Sequence, residues 1–342
     1  MRSSATNPAR GFTVVELIVV VAIIALLVAL AIVAYGKVQL MARTSSCLSN
    51  QRQISLAQTS YATDNTGALT SPCTSFRGTT GAFSVDSPCG NNRIVLNNGQ
   101  LTNESYHSWT ATYGGTDSEG NPRLNGGLEN EGALKDGRLF EYVGSVPAYR
   151  SALDPTGRLR SYSINCFIGT TVPNDVSVYG QNWIGWYCAQ GVTVQEWKST
   201  HLARIKQPSS TIMSIVEQDG RVDGHNSHGF VIDPRPPEGS VPPPGVPNPG
   251  AWTVGGWQGW IDTPALWQPE SVTYSLVDGS TATYAFQSAQ AIATLTEMQA
   301  AGQSHGYVQP PDPDGAALRR DWMHFRDRLL PGVIPPMVPR YQ

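Results

Sequence analysis

The chain has 342 residues, enough for one or two domains, and only 14% of them are charged. Gly (34), Pro (25), Trp (9) and Tyr (13) are abundant, which argues against a helical cytosolic protein and for a loop-rich, β-containing extracytoplasmic one. The formal net charge is −3 with no Lys/Arg cluster, so there is no electrostatic footprint for nucleic acid.

Residues 1–10, MRSSATNPAR, form a short polar leader with two arginines and no acid. Residues 17–35 then run for nineteen positions without a charge, close to the ~20 needed to cross a bilayer as a helix. Positive charge ahead of a span keeps that end cytoplasmic, so the bulk of the chain is expected outside. A secretory signal peptide would carry a shorter apolar core, although a small-residue pattern, Ala29-Leu30-Ala31, does lie within the stretch. Neither a signal peptide nor a plain anchor explains Glu16. An acid at the centre of a span costs roughly 2.5–3.5 kcal/mol, less near its end, and a partner is expected for it. A cut between Gly11 and Phe12 would create one. The new α-amino group is four residues before Glu16, within i, i+4 reach in one helix, or it can meet the carboxylate of a neighbouring subunit and fix their register.

The stretch GFTVVELIVVVAIIALLVAL resembles the prepilin signature of type IV pilins and type II secretion pseudopilins: Gly, then Phe, Glu four residues after the Phe, and an apolar helix. The resemblance implies that a membrane peptidase cuts after Gly11 and N-methylates Phe12, and that Glu16 recruits the subunit into a helical filament. It also implies a prepilin peptidase, an assembly ATPase with its inner-membrane platform, and sibling pilins as partners.

The helix is expected to continue past the span, because no proline occurs from Phe12 to Leu69. Leu40, Cys47, Ile54 and Tyr61 recur every seven residues, and Met41, Leu48 and Ala57 widen the stripe. Lys37, Gln39, Arg43, Asn50 and Arg52 occupy the other faces, so this half is amphipathic and its stripe packs on the globular domain. Termination is expected near Asp64-Asn65-Thr66-Gly67, giving a rod of roughly 80 Å. The domain reading is a leader at 1–11, an N-terminal helix at 12–65 with its membrane half at about 12–35, and a globular domain at 66–342. CLSNQRQISLAQTSYATDNTGAL is similar to the continuation in pilin-like proteins of planctomycetes and related bacteria. Many pilins carry a helix-breaking proline where this chain has Val33, which implies a more continuous helix here.

From about residue 70 the composition shifts to Gly, Ser, Thr, Asn and Pro. Leu134, Leu139, Tyr142 and Val143 mark a short helical pattern, and strands are expected at 159–168, 211–217 and 230–232. Residues 233–250 hold eight prolines and are expected as an extended loop. VTYSLVDGSTATYAF is the clearest hairpin, with Asp278-Gly279 at its turn. Helices are expected at 288–301 and 315–330, the second with Asp314 as N-cap. The expected fold class is α+β: a long N-terminal helix packed on an antiparallel sheet with large loop insertions. The planctomycete-type relatives often read YRCPSDP…RSYGMN; here the stretch is YRSALDPTGRLRSYSIN, with the Cys replaced. Their His-x9-Asp-Gly motif is present in degenerate form, with Asp278-Gly279 in place but Gln268 at the His position.

Five cysteines are present. Cys73 and Cys89 bracket one polar loop, and Cys166 and Cys188 another, so two local disulfides with Cys47 left over are one reading; five buried thiols are the other. His225 and His228 lie near Asp219 and Asp223, but H-x-x-H in a Gly/Asn turn matches no standard zinc spacing. EQDGRVDGHN and PDPDG offer oxygen donors suited to calcium without a full ligand pattern, so calcium is a candidate and no metal ligand or cofactor is assigned. The chain has no G-x-S-x-G elbow, dinucleotide fingerprint or P-loop, and no catalytic residue is assigned. Trp252, Trp257, Trp260 and Trp267 are read as cover for core between loops, with a carbohydrate platform as the alternative. The reading is a non-enzymatic filament subunit, single-pass in the inner membrane with its domain periplasmic or on the cell surface. A globular part of roughly 270 residues suits a minor, tip or surface-display role. A single-span surface protein with a sugar-binding or enzymatic domain is the competing class.

Overall fold

The computed structural model describes residues 12–72, 75–77, 109–116, 122–124, 131–135, 137–169, 201–218, 229–230, 232, 260–301, 305–307 and 315–331. Helix α1 is continuous over Val14–Asp64, 51 residues. It is closed by a left-handed cap: Thr66 has φ 55° and Gly67 φ 90°, and the Gly67 N–H reaches back to the Ala62 carbonyl at 2.7 Å, the 6→1 bond of a Schellman motif. The left-handed position falls on Thr66, a β-branched residue that rarely adopts it.

The chain divides into two compact units, Met1–Arg43 and Thr44–Gln342. In the first, the described part of α1 is exposed throughout, apart from a half-buried Leu40. None of its most apolar stretch is buried, and it is long and apolar enough to cross a membrane. Met41, expected in the buried stripe, is 72% exposed, because packing begins only in the second unit, at Thr44.

The second unit is built on a four-stranded antiparallel sheet in the order β4-β5-β7-β8. In chain order, β1 (Ser75–Arg77) pairs parallel with β2 (Ala111–Thr116), which pairs antiparallel with β3 (Pro122–Leu124). Short helices α2 (Glu131–Lys135) and α3 (Phe140–Val143) follow. Strands β4 (Tyr162–Ile164) and β5 (Ile212–Val216) enter the main sheet, β6 (Trp260–Asp262) pairs with a later strand, and β7 (Ser271–Leu276) turns into β8 (Thr281–Ala285). Helix α4 (Ala289–Ala300), β9 (His305–Tyr307), which pairs with β6, and α5 (Gly315–Leu329) complete the described elements. The expected strands at 159–168 and 211–217 shorten to β4 and β5, and at 230–232 Phe230 forms a single parallel bridge to Asn165. The proline-rich segment 233–250 lies outside the described residues, as does Asp314.

Strand β7 is buried on both faces, because helices cover both sides of it. Thr273 faces α1, with its hydroxyl 3.1 Å from the Cys47 thiol. Its neighbour Tyr274 points the other way, with its hydroxyl 3.1 Å from His324 Nε2 on α5. On that second face His324 stacks on Tyr284 at 3.7 Å, and Phe325 meets Tyr284 edge-on at 5.3 Å. The buried Asp321 carboxylate accepts from the Tyr284 hydroxyl at 2.7 Å and from the Gln287 and Ser288 N–H groups, which ties α5 to the start of α4. Ser288 caps α4 by accepting from the Ala291 N–H at 3.1 Å.

Burial, reinforced by the nearby Arg328, pulls the His324 imidazole down from 6.5 to about 3. The folded domain therefore holds it neutral while the unfolded chain binds a proton below about pH 6.5, so stability is full above that pH and declines as pH falls towards 3. Burial raises Asp321, which works in the opposite direction at low pH, so the histidine contribution must be read by difference. Melting the full chain in detergent at pH 7 and pH 5 tests this. Wild type should lose up to ~2 kcal/mol more than His324→Gln, which keeps a polar partner for Tyr274 but does not titrate.

Candidate functional site

The apolar helix begins with a reciprocal cap. The Glu16 N–H donates to Thr13 Oγ1 at 3.3 Å, and the Thr13 N–H donates back to Glu16 Oε2 at 2.9 Å. The Thr13 hydroxyl adds a third bond to the same Oε2 at 2.8 Å, and the first i→i−4 bond of the helix, Leu17 N–H to the Thr13 carbonyl, closes at 3.2 Å. Thr13 is thus the N-cap and Glu16 the N3 residue of a capping box. This arrangement suits an apolar helix, whose first N–H groups have no intrahelical partner and few alternatives in lipid. All three bonds fall on Oε2 and the backbone; among the described residues Glu16 Oε1 has no partner and stays open to a further donor. Thr13 escaped the sequence reading, although T-x-x-E ahead of an apolar run is the signal for it. Phe12 is 75% exposed, and Gly11 lies outside the described residues.

The second part of α1 is held to the sheet by a seam of buried polar groups. The Gln51 amide donates to the Thr273 carbonyl at 2.9 Å, and the Ser55 hydroxyl to the Leu276 carbonyl. Gln58 pairs with Thr70 through both its amide nitrogen and its oxygen, pinning the chain as it leaves the helix. Asn50 donates to the Arg150 carbonyl at 2.9 Å. Gln268 and Gly279 also touch α1. Gln268 donates to the Thr44 hydroxyl at 3.1 Å, and Gly279, at φ 86° in the β7–β8 turn, sits so close to Leu56 that a Cβ there would lie 3.0 Å from its Cδ2. The positive φ is what favours glycine here; a Cβ would in addition only displace the Leu56 side chain slightly. Asp278 Oδ1 accepts from the Ser280 N–H and hydroxyl, completing the turn. Gln51, Ser55 and Gln58 are each essentially buried, whereas a helical pattern of apolar residues alone assigns them to no packed face.

Cys47 sits at the middle of the seam. Besides Thr273, its sulfur accepts from the Ser151 hydroxyl at 3.2 Å, and the Tyr162 hydroxyl lies 3.4 Å away. Three residues beyond Ser151, the DPTGR segment folds around a buried carboxylate: Asp154 accepts from the Thr156 N–H, from Arg158 at 3.1 Å and from the Ser161 hydroxyl.

Cys166 is buried beside β4, while Cys73, Cys89 and Cys188 lie outside the described residues. So do His225, His228 and the loop carboxylates considered for calcium, and among the described residues no group of three His, Cys, Asp or Glu is placed to hold a metal ion. Of the four tryptophans, Trp252 and Trp257 lie outside the described residues, Trp260 is in β6, and Trp267 lies beneath the Arg158 guanidinium at 5.2 Å.

A family model, the prokaryotic N-terminal methylation motif, matches residues 6–32. It covers residues 6–10 of the polar N-terminal segment, Gly11, Phe12, Glu16 and most of the apolar run. No curated protein and no solved structure matches the chain.

Two outcomes follow from this geometry. Thr13→Ala should remove the cap at a cost of roughly 1 kcal/mol to the first turn, read as faster amide exchange at Val14–Leu17 in micelles with the rest of α1 unchanged. Ser151→Cys should close a disulfide with Cys47 on oxidation, seen as a loss of two hydrogens by mass spectrometry and a melting gain of about 2–4 kcal/mol that a reductant reverses.

Proposed function

We propose that this chain, pilin-like by its N-terminal motif, is a structural subunit of a filament of the type IV pilus or type II secretion pseudopilus class. The single observation that carries the reading is the methylation motif matched over residues 6–32, followed by a helix whose apolar part is wholly uncovered in the isolated chain. The leader stays in the cytoplasm and the span lies in the inner membrane. A prepilin peptidase cuts between Gly11 and Phe12 and methylates the new terminus. The uncovered helix then exchanges lipid for the helices of sibling subunits, with an assembly ATPase and its membrane platform supplying the work. The globular unit coats the outside, in the periplasm or at the cell surface.

Glu16 sets the axial register in this scheme. Its Oε2 is already engaged by Thr13 of its own chain, which lowers the cost of carrying the acid into the membrane. Its second oxygen accepts from the α-amine of the mature terminus, in its own chain or in the neighbour's, as an ion pair shielded from water. Where the amine is the neighbour's, a subunit displaced along the filament by one helical turn would leave both charges unpaired, a penalty of several kcal/mol.

Mass spectrometry of the mature protein should give an N-methylated Phe12 terminus for wild type and for Glu16→Ala alike. Glu16→Ala should nevertheless be absent from sheared filaments and accumulate in the membrane fraction. Retention of residues 1–11 in the wild-type protein would overturn the processing step. Normal incorporation of Glu16→Ala would remove Glu16 from assembly, and absence of wild type itself from sheared filaments would mean that the helix is only an anchor for the domain.

A further inference from the structure

Among the described residues, the β7–β8 hairpin leaves one edge of the main sheet unpaired. β8 is the last strand in the sheet order. Its register pairs Val272 with Tyr284 and Tyr274 with Ala282, and the flanking bonds Leu276 N–H to Ser280 carbonyl and Phe286 N–H to Glu270 carbonyl, both 2.8 Å, fix which pairs share hydrogen bonds. In an antiparallel ladder those pairs alternate, so the N–H and C=O groups of Thr281, Thr283 and Ala285 point away from β7. Nothing among the described residues pairs with them, and Thr283 and Ala285 are exposed. The strand sequence, TATYA, has none of the devices that normally block such an edge: no charge, no proline, no bulge. The opposite edge is closed, because Phe230 bonds across β4 to the Ile164 carbonyl and the Cys166 N–H.

A second observation falls at the same place. Leu56, at 47%, is the one large apolar side chain exposed among the described residues of the second unit. It lies against Gly279, in the turn from which β8 departs, and the side chains of Thr281 and Thr283 emerge on the same face of the sheet as α1, because Thr273, the cross-strand partner of Thr283, faces Cys47, and Ser275, the partner of Thr281, lies two residues along on that face. An open backbone edge and an uncovered leucine on the assembly helix form one continuous surface.

We infer that the β8 edge, together with Leu56, is a subunit–subunit contact that takes an extended segment of the adjacent copy of this chain by strand addition. The inference rests on the filament reading. The occupant is a second copy because the surface is continuous with α1, the element through which copies associate. Two β8 edges cannot face each other in such a filament, since that pairing needs a two-fold axis that a head-to-tail helical assembly lacks. The edge is therefore met by a different segment of the neighbour, bonding through backbone groups, with an apolar side chain over Leu56.

Amide exchange on sheared filaments and on detergent-solubilised subunits tests this directly. Thr281, Thr283 and Ala285 should exchange quickly in the subunit and be protected by about 100-fold or more in the filament. Equal exchange in the two samples overturns the inference. Thr283→Pro removes an outward N–H and leaves the β7 ladder whole, so it should melt like wild type yet lower filament yield by about tenfold or more. Thr283→Lys, which keeps the N–H but places a charge on the edge, should do the same. Wild-type yield from both variants also overturns the inference. Wild type and Glu16→Ala serve as the separate controls: if wild type is absent from sheared filaments, the filament reading itself fails, whereas if wild type is incorporated and Glu16→Ala is not while the Thr283 variants assemble normally, only the edge contact fails.

Discussion

The polar seam between α1 and β7 is the constraint on which the globular unit depends. An apolar helix on an apolar sheet can slide or rotate by small steps at little cost, since one methyl group packs much like another. Gln51, Ser55 and Gln58 remove that freedom. Each is buried and each reaches a specific acceptor or donor, so a shift of one turn would strand several polar groups without partners at about 1–3 kcal/mol apiece. The seam contributes modestly to stability and strongly to uniqueness. Two further contacts flank it: Gln268 meets Thr44 and Gly279 meets Leu56, so the β7–β8 hairpin and the residue ahead of it also touch α1.

Much of the architecture was legible in the sequence, and the exceptions have physical causes. The span, its acid and the prolonged helix follow from apolar length and from the absence of proline. The hairpin follows from Asp-Gly, and the helix end from a cluster of residues that tolerate turns. The seam was hidden because polar residues in a helical pattern read as solvent-facing, and only the carbonyls of Thr273 and Leu276, more than two hundred residues away, make Gln51 and Ser55 inward-facing. Cys47 read as a small apolar residue, yet it is surrounded by the hydroxyls of Thr273, Ser151 and Tyr162. The pairing of β1 with β2 and of β6 with β9 joins segments whose propensities carry no information about each other. At the N-terminus the acid was legible and its cap was not, because attention to charge passed over the threonine three residues before it.

The two faces of β7 divide the work of the domain. On one side it meets α1 through hydroxyls and amides. On the other it meets α5 through an aromatic layer of Tyr274, Tyr284, His324 and Phe325, closed by Asp321. The aromatic side supplies large apolar burial, and the polar side supplies register. A strand of six residues buried on both faces is a small element to carry both tasks, and its flanking strands, β5 and β8, hold it in place.

The direction of the seam bonds has a mechanical consequence. Gln51, Ser55 and Gln58 occupy successive turns along α1, and their partners are spread along β7 and the chain that follows the helix. A pull along the helix axis would load these bonds side by side, so they would have to rupture together instead of peeling apart in succession. In the filament proposed for this chain, a pull along α1 is therefore the load that the seam resists best.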